Sequence, residues 1–515
     1  MELLEQCRAW HKAGDFMKIV STIEALPEKD LTPDLEFELA RAYNHVGMTA
    51  RPIDTDWFVK AVGLLLKLRP ILGETHDWHL RAGHAMFSLD NPGPALHEFR
   101  LALATFPDEA DPDLLDASRE GIATLIELCQ DSMYRPRRPY AMRAATAWQR
   151  FTEKRPELER LLLASFDKQA YQPARTALEE FLGDAVPGAF EFGRDKGRFE
   201  VVFPLSRPRS HLSIIEHFIK GLPEEAKENW VFHAGRRPRT DFQMGVNNHK
   251  ISAADVLCSL EPAKGDEDGP APEGRYDMTL YCPALIVEED GKKTYVKEAV
   301  DVLYLINDLT LGEAAAFCLL NNVRLSIEAP ADAFPFSEIR ERFVKLGHKA
   351  DYDIDDLLGE LTPYRFEPED DPDAPMRADV VTGWTRHPEF VGGLLEGDDT
   401  PFDDLRWAGV VPGYVHWPIE NPETANPAEV FKKNEAFVEA LAAVAGDAFE
   451  VTGAAAGLRR CYVDLTLWDP EEAFARIRAV CAEHGIADPA FRGFRADAPD
   501  LDLSVERNTE GRTLS

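Results

Sequence analysis

Four side chains in the middle of the chain have the types that acid–base chemistry uses: His211, His233, Asp301 and Asp308. An imidazole titrates near neutrality, and a carboxylate in apolar surroundings is pushed toward it. A pair of them within hydrogen-bond reach in a cleft would therefore supply a general acid and a general base. Asp301 and Asp308 stand out because they flank Tyr304 in the largely apolar run 300–309. Cys282 with His233, or Cys318 with His211, would form a thiol–imidazole pair only if the fold joined them. Each cysteine lies in an apolar run, which favours a buried, inert thiol. His76 and His79, with His84 and His97 nearby, have no Cys or carboxylate at ligand spacing, so no metal site is expected. The run Gly-Ala-Ala-Ala-Gly at 453–457 lacks the Lys-Ser/Thr of a phosphate loop and reads as a tight hairpin turn. Asp351, Asp353 and Asp355 have no glycine at the turn position of a calcium loop. G-x-S-x-G, H-E-x-x-H, G-x-G-x-x-G and kinase motifs are all absent. The four acid–base candidates are therefore weak, no catalytic residue is assigned and no cofactor is expected.

The elements around these residues belong to a long, acidic chain. Its 515 residues suit three or four domains, and 44% hydrophobic residues are enough for packed cores. With 57 Lys and Arg against 91 Asp and Glu, the formal charge is −34. Such a body repels phosphate backbones, so general nucleic-acid binding is not expected, whereas a basic protein partner is. No apolar run reaches a membrane span, and the opening residues have no basic segment followed by an apolar one. Seven scattered cysteines without a C-x-x-C pair suit reduced thiols and a cytoplasmic location.

Residues 1–110 read as helices joined by short turns. In 78–107 the residues Gly83, Ala95, Phe99, Ala102 and Pro107 fall in a helix-pair register. The small residues let two helices approach, Phe99 and Ala102 share one face, and Pro107 ends the second helix. A preceding unit carries Ala40, Tyr43, Ala61, Leu65 and Leu68, and a first one Gly14, Phe16, Ile19, Ile23 and Pro27. This spacing resembles the tetratricopeptide repeat. The resemblance covers residues 1–110 and implies three repeats with a concave groove for a peptide. Helical spacing then assigns Phe37, Arg41, Asn44 and His45 to the groove in one unit, and Leu80, His84, Phe87 and Ser88 in the next. Arg41 and Asn44 beside Phe37 and Phe87 would grip a carboxylate and an apolar anchor; packing against a later part of the chain is the rival use. A helical extension follows over 111–190, including a helix over 114–129. It contains the densest basic patch, Arg135, Arg137, Arg138 and Arg143, which suits either an acidic partner or the chain's own carboxylates.

From residue 191 the periodicity changes to strands alternating with helices. Two α+β modules, 191–350 and 378–503, each follow an order close to the ferredoxin-like split βαβ unit. Between them, 351–377 carries a run of acids that predicts an extended, solvated linker, and 504–515 reads as a polar tail. In the second module Trp384, His387, Trp407, His416 and Trp417 cluster. They suit core filling beneath a loop, while Trp384, Trp407 and Trp417 are also candidates for an aromatic surface. The plan as a whole is an all-α repeat region followed by two α+β modules. It loosely resembles uncharacterised bacterial toxin-associated, immunity-type proteins. The expected role is a non-enzymatic one: binding a protein or peptide, with neutralisation of a basic toxin as one form. The alternatives are an enzyme with an unrecognised site in the middle module, or a small-ligand sensor, which a deep apolar pocket would favour.

Overall fold

A computed structural model describes residues 2–51, 53–107, 117–165, 171–186, 188–206, 208–239, 241–246, 249–264, 274–289, 291–371 and 373–504. The chain forms two compact units, Met1–Arg143 with Pro363–Ser515, and Ala144–Thr362. Helices come first in the chain and sheets follow, as the sequence pattern requires.

The first unit opens with α1 (Glu2–Ala13), α2 (Phe16–Glu24), α3 (Pro33–Thr49), α4 (Asp56–Leu72), α5 (His76–Ser88), α6 (Pro92–Ala104) and α7 (Arg119–Ser132). Residues 114–116, the start of the expected helix over 114–129, lie outside the described residues. Each helix packs on the next, and α3 also touches both α1 and α5. The N-caps Thr32 and Thr75 accept from the backbone N–H of Leu35 and Trp78, satisfying donors that the first turn leaves orphaned. Two glycines permit the close pairing. A Cβ on Gly83 would lie 2.6 Å from the Phe99 ring, and one on Gly47 2.7 Å from the Phe58 ring.

The second unit holds the remainder of α8 (Tyr140–Ser165), then α9 (Tyr171–Leu182), β1 (Glu191–Asp195), β2 (Arg198–Phe203), α10 (Arg209–Lys220), β3 (Trp230–Ala234), β4 (Met244–Val246), β5 (His249–Ile251), β6 (Leu257–Pro262), β7 (Tyr276–Tyr281), β8 (Ile286–Glu289), β9 (Lys292–Tyr295), α11 (Ala299–Leu311), α12 (Glu313–Leu319), β10 (Leu320–Leu325), β11 (Phe334–Pro335), α13 (Ile339–Lys345) and α14 (Ile354–Gly359). The single split βαβ sheet expected here is replaced by two larger sheets, β1-β2-β3 and β10-β7-β6-β11, and two two-stranded ones, β4-β5 and β8-β9. Two separate cores explain the division. Trp148 and Phe151 gather Phe181, Phe218, Trp230 and Phe232 beside the first sheet. Met278, Leu280, Leu303 and Ile306 belong to the core beneath the second. Alternation in sequence marks a strand but does not choose its neighbour. The acidic stretch expected to stay extended holds α14, capped reciprocally by Asp353 and Asp356, and the start of β12 (Thr362–Arg365). Glu360 is held there by Arg209 and by Arg275 at 2.9 Å. Charge repulsion is offset locally by cations from elsewhere in the unit.

The first unit resumes with the rest of β12, then β13 (Val380–Thr385), α15 (Pro388–Glu396), α16 (Thr400–Trp407), β14 (Val411–Pro418), α17 (Pro427–Ala445), β15 (Phe449–Gly457), β16 (Arg460–Leu467), α18 (Pro470–Glu483), β17 (Ala490–Gly493) and β18 (Leu501–Asp502). Its sheet has seven strands in the order β12-β13-β15-β16-β14-β17-β18, not the four of a split βαβ unit. The Gly-Ala-Ala-Ala-Gly run is not a turn. It is the second half of β15, paired with β13 on one side and β16 on the other, and the chain reverses at Leu458 and Arg459. The strand is paired on both sides and largely buried, so low β-propensity was overridden by burial. Residues 505–515 of the expected tail lie outside the described residues.

Candidate functional site

The acid–base candidates of the second unit are engaged separately. Arg236 donates to Asp308 and Glu313, each at 3.0 Å, and also pairs with Glu191. Burial, reinforced by the nearby Glu313 carboxylate, pushes Asp308 up to about 6 against the pull of Arg236. Burial likewise raises Glu313. His233 has its Nε2 3.8 Å from Glu200, whose other oxygen pairs with Arg239. Burial, then the positive charge of Arg237, lowers His233 to about 4, so it is neutral at pH 7. Asp301 is exposed on α11, seven residues before Asp308, which puts about 10 Å of helix axis between the two carboxylates. His211 is half-buried on α10. Asp301 and Asp308 therefore do not form a catalytic pair, and Asp308 faces Arg236 while His233 faces Glu200. Burial pushes the Cys318 thiol up to about 11 and raises Cys282, so both remain protonated thiols at neutral pH.

Within the helical region the eight groove candidates split into two groups. Leu80 and Asn44 are buried at 0% and 5% exposure, so they do not line a surface. Asn44 donates Nδ2 to the Arg81 carbonyl at 3.0 Å, tying α3 to α5. Arg81 returns the tie, donating to the Phe37 carbonyl at 2.9 Å and to Glu38 at 3.2 Å while covering the Phe37 ring. Phe37, Arg41 and His45 are half-buried along α3, with Arg41 3.5 Å from Glu38 and His45 stacked on Phe16. His84 meets Phe99 edge-on. Arg137 takes the carbonyls of Phe87 and Ser88. His76 and His79 are spoken for by the Ala102 carbonyl and by Glu98. Glu98 sits on the partner helix, so sequence spacing along one helix did not reveal it.

The basic patch is drawn into a knot around Asp90, which adopts a left-handed backbone with φ of 61°. The Arg137 N–H donates to Asp90, and the fully buried Arg406 of α16 reaches Asp90 and the Ser132 and Met133 carbonyls. Arg143 donates to the Arg138 carbonyl, while Arg135 is exposed. Nearby, Tyr134 donates to the Pro499 carbonyl and accepts from the Gly493 N–H. Arg100 of α6 pairs with Asp497, and Arg495 is clasped by Asp399 and Asp403. The C-terminal sheet is thus seated on α6, on the end of α7 and on the turn between α5 and α6.

Of the aromatic candidates, Trp417 is buried against Phe437 and is no surface residue. Trp407 is 48% exposed and Trp384 half-buried. His387 is buried, and His416 is buried between Asp500 and Arg460. Beneath them lies a polar cluster that motif spacing did not mark. Arg377, with φ of 73°, donates to Asp464 at 2.5 Å and to the Tyr364 hydroxyl at 2.6 Å. The rings of Tyr414, Tyr462 and Phe494 stand 5.0–5.4 Å from its guanidinium. Tyr462 in turn donates to Asp379. The lone acid in the apolar run Tyr462-Val-Asp-Leu-Thr-Leu is the sequence signal that would have found Asp464. Both charges are enclosed, so this cluster holds the sheet together and does not meet solvent.

No family model, curated protein or solved structure matches this chain. Among the described residues no single helix is long and apolar enough to cross a membrane, and no His, Cys, Asp and Glu cluster suited to a metal occurs.

Proposed function

We propose that the chain is a non-enzymatic interaction protein. In this reading its N-terminal helices act as a short tetratricopeptide-like array whose α3 face, Phe37, Arg41 and His45, meets a protein or peptide partner. The carrying observation is where the C-terminal sheet sits. It is seated on α6 through Arg100 and Asp497, at the end of α7 through Arg406 and Tyr134, and on the α5–α6 turn through Arg406 and Asp90. α3 adjoins both α1 and α5, and in this reading its half-buried residues are the part of the array left for a partner. An arginine beside aromatic rings on such a face suits a carboxylate with an apolar neighbour. The charge of −34 favours a partner that is basic outside that contact, and a basic toxin is one such partner.

Deleting residues 1–110 is a poor test, because it strips the Arg100 and Asp90 contacts from the C-terminal sheet. Neutral substitution on α3 is cleaner. Arg41→Gln with His45→Gln, compared with the parent chain in pull-downs from native lysate, should lose a specific partner while the variant still unfolds cooperatively, at a melting temperature lowered only by the lost Glu38 and Phe16 contacts. Retention of every partner by the folded variant would sink the assignment of this face.

A further inference from the structure

The C-terminal sheet carries a cleft that none of the roles above uses. One face of α17 and the sheet face of β13 and β15 line an open cleft of about 250 Å³. Ala454 and Ala456, alternate residues of β15, give it a floor of small side chains with the Ala455 backbone between them, where larger side chains would have filled the space. Trp384 and Phe431 form the aromatic walls, and Phe431 is 53% exposed although it is large and apolar. Phe431, Asn434, Glu435, Val438 and Glu439 follow at helical spacing, so a single face of α17 supplies that side.

Small residues alone would mark only a packing gap. A second feature points to a ligand. Asn434 is 5% exposed and donates Nδ2 to the Ala455 carbonyl at 3.0 Å, yet its buried Oδ1 has no partner among the described residues. An orphaned buried acceptor costs about 1–3 kcal/mol, and a donor brought by a ligand removes that cost. The rim adds charge of one sign. Glu435 and Glu439 are both exposed, line the cleft and form no ion pair among the described residues. Lys433 lies toward a different depression, beside Trp417 and Cys461.

An apolar floor, two aromatic walls, an unmatched acceptor and two carboxylates are together complementary to one chemistry. We infer that this cleft binds a small organic ammonium ion, its alkyl body on the alanines and its N–H donors toward Asn434, Glu435 and Glu439. Aromatic faces attract such cations when they come within about 6 Å of the ring centroid. The volume sets the size. Drug-sized ligands occupy about 300–1,000 Å³, so this smaller cavity suits an amine of a few carbons. The cleft shares no residue with the α3 face, and either site stands if the other fails.

The test is calorimetric titration of the full chain with n-butylammonium, 1-butanol and butyrate at matched ionic strength. Butylammonium should saturate one site, and the isosteric alcohol should bind at least about ten-fold more weakly. Glu435→Gln with Glu439→Gln removes charge from two exposed positions and should weaken butylammonium by about ten-fold or more without altering thermal unfolding. Val438→Phe, which fills the cleft, should abolish binding. Equal binding of the alcohol, full affinity in the double glutamine variant, or no saturable binding by the folded parent chain would overturn the inference. So would binding of a lysine-bearing peptide with none of the free amine, since the site would then read a protein side chain.

Discussion

Two arginine clusters, one in each compact unit, solve the same problem in different ways. Arg377 in the C-terminal sheet is fully enclosed, meets a single carboxylate in Asp464, and has aromatic rings on its remaining sides. Arg236 in the second unit is partly open to solvent and is shared among Glu191, Asp308 and Glu313. One cation among three carboxylates cannot hold them all ionised at equal ease, so burial leaves Asp308 titrating at about 6. A closed one-to-one pair fixes a fold, whereas a shared open cluster makes its unit sensitive to pH.

The sharpest break in that contrast is Arg377→Ala. It leaves Asp464 buried without its cation, and such a loss costs about 3–5 kcal/mol. Urea unfolding of the first unit should show it, and a cost below about 1 kcal/mol would mean that Asp464 is not dependent on this pair. Replacing both partners with apolar residues of similar volume should restore most of the stability.

The next effect is a pH slope in the second unit. Asp308 is raised from its ordinary 3.8 to about 6, so the folded chain binds that proton more tightly. The stability this provides is fully present below about pH 4 and is lost as pH rises through 6. His233 is lowered from its ordinary 6.5 to about 4, so the unfolded chain binds its proton more tightly. Stability from that group is gained over the pH range from about 4 to 6.5. The two slopes oppose each other. Asp308→Asn should remove the first and leave stability climbing between pH 4 and 6.5, by about 2 kcal/mol relative to the parent chain. Hydrogen exchange in β2 and β3 would report it; an unchanged slope would show that Asp308 already ionises normally.

Smaller effects test the packing and capping around these clusters. Gly83→Ala drives a methyl into the Phe99 ring and should cost about 1–3 kcal/mol in the helical region, read as a lowered melting temperature. Asp353→Ala removes the N-cap of α14, which accepts from the backbone N–H of Asp355 and Asp356, and should cost about 1 kcal/mol. If that variant is neutral, the acidic stretch is held by Arg209 and Arg275 on Glu360 and not by its cap.

Much of the helical region was legible because its information is local. Gly83 and Phe99 lie on consecutive helices, and the fit of one to the other needs no distant residue. The sheets were legible only as strands. Trp230–Ala234 and Tyr276–Tyr281 both read as strands, but separate cores put them in different sheets. The run 453–457 was misread because alanine and glycine disfavour strands on average, and only burial between β13 and β16 reverses that preference.

The residues by themselves determined the acidity of the surface, the order of helices before strands, the spacing that pairs α5 with α6, and the absence of familiar catalytic motifs. Tertiary structure alone decided that Arg377 would meet Asp464 across 87 residues and Arg406 would meet Asp90 across 316. It also brought Asn434 over the alanines of β15. Periodicity reports which face of an element is buried. The strength of a charge or an orphaned acceptor depends on what is packed against that face, and chain separation carries no record of it.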